Sequence, residues 1–117
     1  MRNLFQKEWR TQIYSDKNAV IIDARTPEEW ASGILKNAIM INFLEPIFFL
    51  KEVHKLDETK TYYIYSRSGI RSGKACEILE DIGFNESYNL AGGINEWNLE
   101  KIIPNDFSWF LVICKNT

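Results

Sequence analysis

Short segments with the length and composition of β-strands recur along the chain. They lie at residues 19–24, 38–41, 62–65 and 86–90. Two of them, 19–24 and 62–65, are apolar at successive positions rather than at alternate ones, which is typical of parallel strands covered on both faces. The pattern therefore predicts a parallel sheet buried between two other layers.

Segments with helical spacing of apolar residues separate these strands. Helices are predicted over residues 4–14, 26–33, 45–56, 71–83 and 94–99. The second has a clear start, because Thr26 can cap it and Pro27 suits the first helical position. The residues expected to face the core are Leu4, Phe5, Trp9 and Ile13 in the first helix and Ile47, Phe48, Leu50, Val53 and Leu56 in the third. Strands and helices that alternate in this order predict one α/β domain, a central parallel sheet with helices on both faces.

Composition and charge narrow the range of partners. The chain has 117 residues, 45% of them apolar, which suits a single core. A net charge of −2 gives no general attraction to nucleic acid or to an anionic membrane, and no stretch approaches the length of a membrane span. Cys76 and Cys114 form neither a disulfide framework nor a metal-ligand spacing. We therefore expect a cytoplasmic protein with no cofactor, no metal, no nucleic-acid partner and no membrane contact through its charge.

The polar loop at residues 66–71 is the strongest candidate for a functional site. It follows a buried strand and opens a helix, where backbone N–H groups without intrahelical partners and the helix dipole favour anions. Its residues are Ser66, Arg67, Ser68, Gly69, Ile70 and Arg71. The two guanidinium groups add positive charge, and the glycine permits a tight turn. The loop predicts an anion pocket with Ser66 at its mouth.

Three motifs in this chain resemble those of the rhodanese-like sulfurtransferases. They are YSRSGIRS at residues 65–72, DARTPEEWASGIL at 23–35 and NLAGGINEW at 89–97. The resemblance implies a three-layer rhodanese-like domain over residues 1–100. In the family, four residues of the loop separate a cysteine from an arginine, and here Ser66 and Arg71 occupy those two positions. The residues between them would supply backbone N–H donors.

The resemblance also implies a reaction. In the family, a cysteine thiolate takes the outer sulfur of a small anionic donor such as thiosulfate, carries it as a persulfide and passes it to cyanide or a thiol acceptor. A serine is not appreciably ionised near neutral pH and its oxygen cannot carry a persulfide. The only histidine, His54, is expected to be a solvated helix residue, so no base for Ser66 is identified. The chain with Ser66 is therefore predicted to be inactive.

Two explanations for Ser66 stay open. Either Ser66 was introduced in place of a cysteine, as an active-site mutation that keeps the protein homogeneous or traps a bound state, or the natural protein lost its nucleophile and kept the fold as a non-catalytic module that binds an anion or a protein or has a regulatory role. The other loop residues fit the active pattern, which favours the first explanation. Phosphatases that share this fold have five residues between cysteine and arginine, whereas four lie between Ser66 and Arg71. Phosphatase activity is therefore disfavoured.

Other residues receive structural interpretations. Ile34 and Asn37 stand where the family has a histidine and a glycine, and both are expected to affect the packing of a surface turn. Asp23 and Arg25 are expected to form a charge network with Glu28 or Glu29. The remaining assignments are Cys76 as a core residue and Gly92 and Gly93 as a tight turn beside the loop.

The C-terminal segment, residues 101–117, lies outside the resemblance. Its stretch DFSWFLVIC at residues 106–114 is strongly apolar and aromatic. We expect it to pack on the surface of the same domain. The alternative is an exposed patch that contacts a protein partner or a membrane.

Overall fold

The structure, a computed structural model, describes residues 1–104. Its centre is a sheet of five parallel strands in the order β1-β5-β4-β2-β3. The strands are β1 (Arg2–Leu4), β2 (Ala19–Asp23), β3 (Ile39–Met40), β4 (Thr61–Tyr65) and β5 (Glu86–Leu90). The predicted parallel sheet is confirmed, and four of its five strands are those that the sequence indicated.

In the described part of the chain, four α-helices connect the strands and a 3₁₀ turn follows the last one. They are α1 (Gln6–Ser15), α2 (Pro27–Trp30), α3 (Pro46–Val53), α4 (Ile70–Asp81) and the 3₁₀ turn Ile94–Glu96. The start of α2 is as predicted, because Thr26 and Glu29 form a reciprocal capping box and Pro27 begins the helix. Within residues 1–104, no helix has the length and apolar character required to cross a membrane.

Helices cover both faces of the sheet, as predicted, and each face has its own core. Alternate residues of β4 point to opposite faces. Tyr62 and Ile64 join a cluster that includes residues of α3 and α4, whereas Tyr63 and Tyr65 join a cluster that includes Trp9 of α1. A strand that is buried on both faces explains why the apolar run at residues 62–65 is continuous.

The first element differs from the prediction. Leu4 belongs to strand β1, where it pairs with Leu90, and the helix begins only at Gln6. Phe5, expected in the core, is 68% exposed at the helix start, whereas Trp9 is buried as expected. The helix starts later than predicted because residues 2–4 pair with β5 as a fifth strand. Leu4 is therefore a strand residue and does not belong to the apolar stripe of the helix.

The inward face of α3 also differs from the prediction. Ile47, expected to be buried, is 75% exposed, and Leu50 is exposed too. Phe49 and Val53 are the buried residues, and they lie four positions apart on one face. Because α3 begins at Pro46 and has only eight residues, it buries one narrow stripe against the sheet.

Two residues that depart from the family pattern lie in the turn after α2. Ile34 is buried rather than on a surface turn, and its backbone exchanges two hydrogen bonds with Ile102. Asn37 has a φ of 68°, in the left-handed region where the family has glycine. Asparagine tolerates that region better than most residues do, so the turn keeps its shape without glycine.

The last described segment is shorter than predicted. The expected helix over residues 94–99 is only a 3₁₀ turn that ends at Glu96, after which Trp97 is extended. Most of the C-terminal segment, residues 105–117, lies outside the described residues. Its predicted packing on the domain therefore stays a prediction.

Candidate functional site

The loop lies at the carboxyl edge of the sheet, between the end of β4 and the start of α4. Ser66 follows the last residue of β4 and is 1% exposed. It thus lies at the floor of the loop rather than at its mouth, where the sequence interpretation put it. Gly69 has a φ of 101°, a conformation that favours glycine, and turns the chain into α4.

Three hydrogen-bond contacts surround the Ser66 hydroxyl. The backbone N–H groups of Gly69 and Ser72 donate to Ser66 Oγ at 3.2 and 3.1 Å, and Ser72 Oγ lies 3.0 Å away. Both N–H groups belong to the first turn of α4 or the residue before it, where the helix dipole adds positive potential. Donors and a dipole that converge on one atom stabilise negative charge there. Of the residues between Ser66 and Arg71, Gly69 alone supplies such a donor in the described structure.

A buried chain of polar side chains continues from this hydroxyl. Ser72 Oγ donates to Asn89 Oδ1 at 2.5 Å, and Asn89 Nδ2 donates to Gly69 O at 3.0 Å and to Asn3 Oδ1 at 2.9 Å. The sequence interpretation assigned no role to Ser72, Asn89 or Asn3. The available signal was an asparagine next to Leu90 at the end of a predicted strand of the central sheet, because an amide buried there requires partners.

Arg71 points away from Ser66 towards α2. Its guanidinium makes two parallel hydrogen bonds to the Glu29 carboxylate, at 2.9 and 3.0 Å. Arg71, followed by the backbone and hydroxyl of Thr26, lowers the pKa of Glu29 from 4.5 to about 2. The charge of Arg71 is therefore paired, and the bond ties the first turn of α4 to α2.

Asp23 and Arg25 form a separate ion pair below the loop. Arg25 donates to Asp23 at 2.8 Å and to the carbonyl oxygen of Gly33 at 2.6 Å. Tyr65 also donates its hydroxyl to Asp23, at 2.6 Å. Both charged residues are buried, which agrees with a structural role, but Glu29 belongs to Arg71 rather than to this network.

The outer residues of the loop face solvent and its backbone rests on the 3₁₀ turn. Arg67, Ser68 and Ile70 are all exposed. The carbonyl oxygens of residues 66 and 67 each accept a backbone N–H from residues 94 and 95, at 3.0 Å. A Cβ on Gly93 would lie 2.3 Å from the carbonyl oxygen of Arg67, so only glycine fits there. Gly93 thus allows the 3₁₀ turn to pack directly against the backbone of the loop.

Cys76 and His54 make no hydrogen bond with the side chain of Ser66 in the described structure. Cys76 is buried in the core, as predicted, and burial raises the pKa of its thiol to about 12. His54 is exposed at the end of α3, with Nδ1 2.6 Å from the carbonyl oxygen of Leu50. Within the described part of the chain, no cluster of three His, Cys, Asp or Glu side chains could hold a metal ion.

The protein is a three-layer α/β domain, in which the loop between the central strand and the next helix directs two backbone N–H groups at one side chain. The sequence model of the rhodanese-like domain matches residues 6–100, and the chain belongs to that family. The predicted resemblance and fold class are therefore confirmed.

Relatives and a solved structure agree with this assignment. The chain is 33% identical to a sulfurtransferase of Allochromatium vinosum over 99 residues, which cover 83% of this chain and 89% of that protein. It is 34% identical to the tRNA uridine(34) hydroxylase of Pelagibacter ubique over 88% of this chain, and spans about a third (34%) of that protein's length. The crystal structure of a rhodanese-like domain protein from Staphylococcus aureus has a TM-score of 0.77 and 29% identity, covering 90% of this chain and 100% of that one. The family therefore includes proteins named for sulfur transfer.

Proposed function

We propose that the loop at residues 66–71 is a sulfur-transfer site in which residue 66 stands at the nucleophile's place, and that the chain with Ser66 does not itself carry sulfur. One observation supports this proposal most directly. Two backbone N–H groups, from Gly69 and Ser72, donate to the side-chain atom of residue 66 at the amino end of α4. Such an arrangement lowers the pKa of a thiol and stabilises its thiolate.

With cysteine at position 66, the chemistry takes two steps. The thiolate attacks the outer sulfur of thiosulfate, a new S–S bond forms, and sulfite leaves with the electron pair of the old one. Cyanide or an acceptor thiolate then attacks the outer sulfur of the persulfide, and the cysteine thiolate leaves. The two N–H donors serve the anionic thiolate at the start and at the end of this cycle.

Ser66 cannot perform these steps in its present surroundings. Its oxygen already accepts two N–H bonds and contacts the Ser72 hydroxyl, and no imidazole or carboxylate contacts it among the described residues. Without a base the hydroxyl stays protonated near neutral pH. We therefore expect no sulfur transfer from the unmodified chain.

A thiosulfate to cyanide assay on three chains tests the proposal. The unmodified chain and a Ser66→Ala control should be silent, whereas Ser66→Cys should form thiocyanate and accumulate a persulfide detectable as a mass increase of one sulfur. Thermal denaturation confirms that all three chains are folded. A folded Ser66→Cys chain that neither turns over nor takes up sulfur from thiosulfate would show that the loop is no sulfur-transfer site.

A second function, non-catalytic binding, is favoured by the state of the Ser66 hydroxyl. Its donors and acceptor form a closed network in which serine leaves no polar atom unsatisfied. A loop that accommodates serine so fully can retain the exposed Arg67 as a contact for an anion or a protein. Isothermal titration of the unmodified chain with thiosulfate and with sulfate tests this, with Arg67→Ala as the matched variant. Binding that survives in the unmodified chain and weakens in Arg67→Ala would support it, and absence of heat would exclude it for these anions.

A further inference from the structure

We infer that Asn89 is a positioning residue for the group at position 66, because through Ser72 it fixes the direction in which the hydrogen bonds of that group run. The inference deepens the proposed function, since it rests on residue 66 being the nucleophile's place. It concerns a strand residue that is 23 positions away in the sequence and never touches residue 66 in the described contacts.

The orientation of the Asn89 amide is determined by its neighbours. A carbonyl oxygen can only accept, so the group of Asn89 that lies 3.0 Å from Gly69 O must be the NH₂ group. The same nitrogen reaches Asn3 Oδ1 at 2.9 Å. A reversed amide would place two carbonyl oxygens against each other at Gly69. The Oδ1 atom therefore faces Ser72 and offers it only an acceptor.

The orientation of the Ser72 hydroxyl follows from that of Asn89. A serine hydroxyl has one proton, and Ser72 donates it to Asn89 Oδ1 at 2.5 Å. At its 3.0 Å contact with residue 66, Ser72 Oγ can then only accept. The protons consequently run in one direction, from residue 66 to Ser72 and from Ser72 to Asn89. Serine suits this arrangement because its hydroxyl can both accept the two N–H bonds and donate to Ser72.

A cysteine at position 66 meets opposing influences. The N–H groups of Gly69 and Ser72 favour its thiolate, whereas a Ser72 oxygen that only accepts favours the protonated thiol. To donate a hydrogen bond to the thiolate, the Ser72 hydroxyl has to turn away from Asn89. The buried Asn89 Oδ1 then loses its donor, which costs free energy. Asn89 therefore keeps the group at position 66 protonated to a higher pH than the N–H groups alone would.

The substitutions at Asn89 and Ser72 replace neutral side chains and leave the charged groups around the loop unchanged. On the loop and α4 the ionisable residues are Arg67, Arg71, Lys74, Cys76, Glu77, Glu80 and Asp81. On the elements that pack around them they are the Met1 amino group and Arg2 at β1, Asp23 and Arg25 at the end of β2, Glu28 and Glu29 on α2, Tyr62, Tyr63 and Tyr65 on β4, Glu86 and Tyr88 on β5, and Glu96 in the 3₁₀ turn. Arg71 and Glu29 neutralise each other, as do the Met1 amino group and Glu80. A change in titration on removing the neutral Asn89 oxygen therefore reports the hydrogen-bond chain rather than a lost charge.

The test is the thiolate titration of the Ser66→Cys chain, read from its absorbance near 240 nm. The spectrum of the otherwise identical chain with Ser66 is subtracted, which removes the contributions of Cys76, Cys114 and the tyrosines. Adding Asn89→Leu should lower the pKa of the introduced thiol by about half to one unit, which is a threefold to tenfold change in the thiolate to thiol ratio. In a Ser72→Ala background the same Asn89→Leu change should move the pKa by close to zero, because the connecting hydroxyl is gone.

Ser87→Ala is the matched control. Ser87 is also buried, lies on β5 two residues before Asn89 and hydrogen-bonds to α4 through Glu80, but it has no contact with Ser72 among the described residues. It should leave the pKa of the introduced thiol unchanged. Asn89→Ala, which removes the same oxygen without adding methyl groups, serves if the leucine variant does not fold.

The outcomes separate this inference from the proposed function. A pKa that rises or stays constant in Asn89→Leu, or a shift that persists in the Ser72→Ala background, would overturn the inference. If neither Asn89 variant folds, Asn89 is needed for the fold itself and the inference is likewise overturned. The titration measures the pKa of the thiol and needs no turnover. If the Ser66→Cys chain fails to transfer sulfur, the proposed function is refuted, but the titration still tests the role of Asn89.

Discussion

The Glu29–Arg71 ion pair should contribute measurably to the stability of the domain. Replacing Glu29 with glutamine removes its charge but keeps a side chain that can close the capping box with Thr26. The change therefore isolates the ion pair between α2 and the first turn of α4. We expect Glu29→Gln to reduce the free energy of unfolding at neutral pH and to loosen the anchoring of the loop.

The magnitude follows from the pKa of Glu29, which Arg71 and, to a smaller extent, the Thr26 donors lower from 4.5 to about 2. Without any correction such a shift corresponds to roughly 3 kcal/mol. Because the two side chains remain 21% and 22% exposed, solvent screens the pair and reduces its contribution to about 1–2 kcal/mol. A carboxylate whose pKa is depressed on folding stabilises the protein above its unfolded pKa. The contribution is therefore complete above about pH 5 and is lost as the pH falls from about 4.5 towards 2.

Urea denaturation of the unmodified chain and of Glu29→Gln at several pH values between 7 and 3 tests this reasoning. The two free energies should differ by about 1–2 kcal/mol at pH 7 and converge as the pH decreases. Glu28→Gln, on the exposed side of the same helix, is the matched control and should have little effect at any pH. A difference that is absent at pH 7, or that stays constant down to pH 3, would refute the interpretation.

Three further changes test other parts of the structure. Gly93→Ala should lower the free energy of unfolding by about 3 kcal/mol, because its Cβ would overlap the carbonyl oxygen of Arg67. A Cβ at Gly83 would meet no atom within 4 Å, so Gly83→Ala should cost less, and thermal denaturation of the two variants compares the effects. Tyr65→Phe should cost about 1–3 kcal/mol in urea denaturation because the buried Asp23 loses a donor, and an unchanged midpoint would contradict this. Deleting residues 105–117 should lower the urea midpoint if they pack on the domain, and an unaltered midpoint would contradict that prediction.

The elements that the sequence predicts well are those whose patterns are local. The continuous apolar run at residues 62–65 is β4, and the stripe with Ala75 and Leu79 is the buried face of α4. The start of α2 follows from Thr26 and Glu29, three positions apart, since a capping box depends on nearby residues only. These features need no knowledge of the rest of the chain.

The elements that are poorly predicted from the sequence depend on partners far along the chain. Strand β1 has three residues and no periodicity of its own, and it exists because β5 pairs with it almost ninety positions later. The same applies to Asn89, whose contacts with Ser72 and Gly69 arise from the register of β5 beside β4. Similarly, nothing local selects Arg71 as the partner of Glu29 over the nearer Arg25.

The loop keeps its shape through contacts that do not involve the side chain of residue 66. Its backbone is held on one side by the N–H groups of residues 94 and 95, and α4 is tied to α2 on the other side by Arg71 and Glu29. Gly69 supplies the turn, and its carbonyl is fixed by Asn89. Because none of these interactions depends on whether residue 66 carries oxygen or sulfur, Ser66→Cys changes the chemistry of a cradle that is already formed. The activity of that variant therefore measures what the loop is built to do, and the pKa of its thiol measures how Asn89 and Ser72 adjust it.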